Sequence, residues 1–123
     1  MTVEALILRP DSDALEPVTL TPDRSSGTYL AALYAALCVG LVDAIRLTDE
    51  IDAWVDDEGR VNGNEPNVMA SSMLRAFGWH LAHDDAVRGS MLCVGHDGRG
   101  GMASLTDRQR DILADALAQA KRM

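Results

Sequence analysis

The chain is 123 residues long, the length of one domain that buries roughly two-thirds of its unfolded surface without disulfide or metal support. Apolar residues at 47% and charged residues at 24% are ordinary globular values and exclude intrinsic disorder. A net charge of −8 repels nucleic-acid phosphates and anionic membranes, so general DNA, RNA or membrane-surface binding is disfavoured.

Val3 to Arg9 is a short apolar segment closed by Pro10 and Asp11, the pattern of a strand covered on both faces. Val18-Thr19-Leu20, stopped by Pro22, is a second strand that pairs with it as a hairpin. Thr28 to Cys38 places Leu30, Leu33, Tyr34 and Leu37 at helical spacing, with Ser25, Ser26 or Thr28 as N-cap and Gly40 as stop. Two further strands follow, Leu41 to Thr48 and Ile51 to Asp56. The second alternates Ile51, Ala53 and Val55 with Asp52, Trp54 and Asp56, so one of its faces is expected to be exposed or covered by a partner.

Asp57-Glu58-Gly59 forms a turn that returns through Arg60-Val61-Asn62 to Gly63, an acidic hairpin. A helix begins at Asn64 or Asn67, tolerates Pro66 in its first turn, and carries Met69, Met73, Leu74 and Phe77 on one face as far as Gly78. Trp79 to Arg88 is a loop, and Ser90 to Gly95 a buried strand. His96 to Met102 is a Gly-rich flexible connection. Thr106 and Gln109 form a capping box for a last helix whose buried stripe is Ile112, Leu113, Ala116, Leu117 and Ala120. The order predicts an α+β fold in one domain, residues 1–123: a mixed or mainly antiparallel sheet of five to six short strands with three helices packed against it.

Aromatic residues are only 4% of the chain, so the core rests on Leu, Val, Ile, Met and Ala, and dimerisation that buries more of that surface is one expectation. Cys38 and Cys93 sit inside apolar runs and read as buried free thiols. The start of the chain lacks the pattern of a signal peptide, and no run approaches ~20 apolar residues, which points to the cytoplasm.

Three segments together carry a resemblance. They are Val39-Gly40-Leu41-Val42-Asp43-Ala44-Ile45, then Asp57-Glu58-Gly59-Arg60-Val61-Asn62-Gly63 with Pro66-Asn67, and Gly89-Ser90-Met91-Leu92-Cys93-Val94-Gly95 leading to Ser104-Leu105-Thr106-Asp107-Arg108-Gln109. Their order and spacing, over roughly residues 28 to 112, resemble the domain of unknown function 3846 family. The resemblance implies a small bacteriophage-type accessory protein acting in a bacterial cytoplasm, and it implies no reaction. Asn64-Glu65 departs from the family's pattern, in which Leu commonly precedes the Pro.

Asp49, Glu50, Asp52, Asp56, Asp57 and Glu58 are an acidic stretch, but no register through it supplies the ligand spacing of a calcium loop. His80, His83 and His96 lack the contexts of zinc sites, and no serine sits in a Gly-x-Ser-x-Gly turn. No catalytic residue, metal or cofactor is therefore assigned. Trp54, Asp56, Asp57, Glu58, Gly59, Asn62, Gly63 and Asn67 are the candidate partner-binding residues, an aromatic anchor with a carboxylate rim. The leading expectation is a non-enzymatic protein that binds a host or phage protein, or a second copy of itself. An acidic DNA mimic that inhibits a host DNA-binding or defence protein is the alternative, and a small metal-dependent hydrolase a third reading.

Overall fold

The computed structural model describes residues 2–24, 28–37, 42–56, 65–79, 87–98 and 101–122. In chain order the elements are β1 Val3–Leu8, β2 Glu16–Leu20, α1 Leu30–Leu37, β3 Val42–Thr48, β4 Ile51–Asp56, α2 Val68–Ala76, β5 Met91–His96, β6 Met102–Ala103 and α3 Asp107–Lys121. All strand pairs are antiparallel, in the order β2-β1-β5-β4-β3, with β6 pairing the end of β5. This is the expected α+β architecture.

The two hairpins, β1–β2 and β3–β4, form the flanks, and β5 inserts between them. Its apolar run explains that position, because a central strand is covered on both faces while an edge strand needs only one apolar face. Met91, Leu92, Cys93 and Val94 are all fully buried. Leu92 sits opposite Ile7 on one side and Trp54 on the other.

The sheet has a core on each face. Leu6, Leu8, Ile51, Ala53, Val55, Met91 and Cys93 meet α2 and α3 through Met73, Leu74, Leu113 and Leu117. On the opposite face Val3, Ala5, Ile7, Leu92 and Val94 meet α1 through Leu33 and Leu37. The molecule is therefore layered helix, sheet, helix. On β4, Ile51, Ala53 and Val55 face α2 and α3, while on the other face Trp54 packs against the α1 cluster and stays partly exposed beside Asp52.

Helix ends follow their chemistry. Asn67 caps α2 by accepting from the Ala70 N–H, and Thr106 and Gln109 form the expected capping box of α3. One connection differs from expectation: Met102–Ala103, at the end of the Gly-rich segment, is a strand that pairs with His96 and Gly95. A glycine is required at 95, since a Cβ there would lie 2.7 Å from the Ala103 carbonyl oxygen that crosses it. The expected turn at Asp57-Glu58-Gly59, its return through Asn62 to Gly63, the stop at Gly40, Cys38, His80 and His83 lie outside the described residues.

Candidate interaction surface

The α1 face of the β3–β4 hairpin is built by register. Thr48 pairs with Ile51, so Asp49 and Glu50 form the turn, Arg46 falls opposite Asp52, and Ala44 opposite Trp54. On the other side Asp52 neighbours Val94 and Trp54 neighbours Leu92, so His96, two residues beyond Val94, joins the same face. Alternation on a pleated sheet thus gathers Ala44, Arg46, Asp52, Trp54 and His96.

Trp54 is partly buried, its ring against the α1 core, and its indole N–H is shielded from solvent with no acceptor among the described residues. Ala44 and Arg46 beside it are exposed. The Arg46 Nε donates to Asp52 Oδ1 at 3.3 Å, and its Nη2 lies 3.0 Å from His96 Nε2. The Arg46 carbonyl accepts from the Trp79 indole at 3.2 Å. Trp79 is itself 42% exposed, so the edge strand carries an aromatic cover over a backbone acceptor that would otherwise be open.

The sequence-predicted residues divide into three groups. Trp54 is on this face. Asp56, at the end of β4, is buried, and Asp57, Glu58, Gly59, Asn62 and Gly63 lie outside the described residues. Asn67 is fully buried, which removes it from any contact surface. Its amide donates to the carbonyls of Leu8 at 3.0 Å and Gly89 at 2.9 Å, and its backbone N–H donates to Val87. Buried polar groups need such partners, and here the Pro66-Asn67 pair ties α2 to β1 and to the segment entering β5.

Ala44, Arg46 and His96 were missed. The Arg46–Asp52 pairing was latent in the two-residue turn, but His96 joins only through the β4–β5 neighbourhood, which no local pattern encodes. A separate open cleft of about 310 Å³ is lined by Arg9, Asp11, Glu65 and Ser90 beside the end of α1. Arg9 pairs across the β1–β2 hairpin with Glu16 at 3.4 Å, both side chains well exposed, a contact of small energetic weight. Among the described residues no group of three or more His, Cys, Asp or Glu side chains could hold a metal ion. Cys93 is buried, and burial pushes its thiol up to about 12, so the thiolate is suppressed. No helix among the described residues is long and apolar enough to cross a membrane.

Fold and surface together define a small α+β protein with an antiparallel sheet covered on both faces and a mixed-charge hairpin face around one tryptophan. The family described as Domain of unknown function (DUF3846) matches residues 1–118, and the chain belongs to it. The match extends the resemblance seen over residues 28 to 112 back to β1 and forward into α3. No curated protein and no solved structure matches the chain.

Proposed function

We propose that this protein is a phage-type accessory protein of the bacterial cytoplasm that acts without catalysis, by binding a host or phage protein. The observation that supports this most is Trp54, an aromatic side chain partly exposed between exposed Ala44 and the Arg46–Asp52 pair on one hairpin face. Aromatic residues flanked by polar groups are the usual anchors of protein interfaces. The contact extends in this reading from Trp54 toward Asp57, Glu58, Gly59, Asn62 and Gly63, which follow directly in the chain and carry the acidic rim. Asn67 and Asp56 serve the fold in this reading.

The test is affinity capture from the bacterial host with the wild-type protein, followed by binding measurements on two variants. Ala44→Arg adds bulk to an exposed position without touching the core, and Trp54→Ala removes the anchor. Loss of an interface anchor costs about 2 kcal/mol or more, roughly a 30-fold weaker complex. Unchanged affinity in both variants, with the fold intact by circular dichroism, would refute the surface.

A further inference from the structure

His96 stands at the end of β5 with both ring nitrogens facing donors. The Gly98 backbone N–H points to Nδ1 at 3.1 Å, and the Arg46 guanidinium to Nε2 at 3.0 Å. A guanidinium cannot accept a hydrogen bond, and neither can a backbone N–H. A neutral imidazole has one protonated nitrogen and one bare nitrogen, so it can accept from only one of these donors at a time. An imidazolium can accept from neither.

We propose that His96 is a proton-operated latch: its neutral ring holds either the Arg46 guanidinium or the Gly98 amide through its one bare nitrogen, and uptake of a second proton from solvent releases whichever is held and bars both. The charged groups of the neighbouring elements set the balance. β3 brings Arg46, and β4 brings Asp52, whose side chain is 13% exposed and already engaged by Arg46. The β3–β4 turn brings Asp49 and Glu50, and the Glu50 carbonyl accepts the His96 backbone N–H at 2.8 Å. On the far side Asp97 follows His96 and accepts from the Gly101 N–H at 2.9 Å. β6 places uncharged Met102 opposite the histidine, α3 brings neutral Gln109 to Glu50, and α1 brings no charged residue.

Protonation therefore sets an imidazolium against the guanidinium, with Asp52 left as the Arg46 partner. The released Arg46 and the added positive charge both belong to the face that carries Trp54. The state of that face thus changes when the ring takes up a proton. The device stands on the geometry alone and is tested without a partner.

The experiment is an NMR titration of the purified protein that follows the His96 ring, the Gly98 amide and the Arg46 Nε–H. The expected result is one shared midpoint for all three, with the Gly98 amide losing its hydrogen-bonded shift in acid. In Arg46→Gln the neutral ring should move toward the tautomer protonated on Nε2, read from its ring nitrogen shifts, because the cationic donor at Nε2 is replaced by a neutral amide whose oxygen can accept, while the Gly98 N–H still faces Nδ1. His96→Phe should abolish the shared midpoint while the remaining amide spectrum stays folded. A Gly98 amide that stays still while the ring titrates, or a tautomer ratio unchanged in Arg46→Gln, overturns the proposal.

Discussion

Asn67 spends its side-chain capacity inside the protein: its oxygen caps α2 while its amide bridges Leu8 and Gly89. Asn67→Ala removes the cap and leaves the buried Leu8 and part-buried Gly89 carbonyls without their amide donor, so we expect a loss of about 3 kcal/mol, read as a lower urea midpoint at unchanged slope. Gly95 is constrained by space rather than by conformation. Gly95→Ala drives a methyl against the Ala103 and Ser104 carbonyl oxygens at 2.7 and 3.1 Å, with an expected cost of about 1–3 kcal/mol. Cys93 gives a pH prediction whose sign follows from burial. Its thiol is raised from 9.0 to about 12 in the fold, so the unfolded chain ionises first and stability falls as pH climbs from 9.0 toward about 12. In a Cys38→Ser background a thiol reagent should label Cys93 only as the protein unfolds, and rapid native-state labelling at neutral pH would contradict its burial.

Among the elements, α3 was the most legible and β6 the least. Thr106 and Gln109 satisfy each other's backbone N–H groups at 3.2 and 3.0 Å, an interaction whose partners are three residues apart and thus visible locally. Thr106→Ala should cost about 1 kcal/mol, measured by thermal or urea unfolding. Gln109 also reaches the Glu50 carbonyl at 3.3 Å, which ties α3 to the β3–β4 turn and is invisible without the tertiary fold. β6 is two residues in a Gly-rich stretch. Its strand geometry comes from the β5 end it pairs with, together with the Leu105 N–H donating to Glu4 at 3.0 Å, and not from its own propensity.

Among the described residues the strand path β2-β1-β5-β4-β3 ends in the edge strands β2 and β3, and each has a device against adding another strand. β2 carries Glu16 and Pro17, and proline removes a donor from an edge. β3 carries an irregularity between Arg46 and Thr48, and the Trp79 indole covers the Arg46 carbonyl. Such protection disfavours the addition of a strand from another chain at either edge. Trp79→Phe keeps an aromatic side chain but removes the indole N–H that covers the Arg46 carbonyl, so sedimentation at raised concentration should detect more self-association than in the wild type. An unchanged sedimentation profile would show that the edge is guarded by something other than this bond.

Local chemistry by itself determined the helices, the capping box of α3, five of the strands and the β1–β2 hairpin, because periodicity and capping act between residues a few positions apart. The tertiary structure decided where β5 goes, which face each residue of β4 meets, and what Pro66-Asn67 is for. Trp54 and Asn67 both looked like surface candidates in one dimension, and the fold leaves the first partly exposed and buries the second fully. Whether a side chain is covered depends on elements distant in the chain, here α1 for Trp54 and β1 with the β5 approach for Asn67, and that packing is a property of the assembled layers.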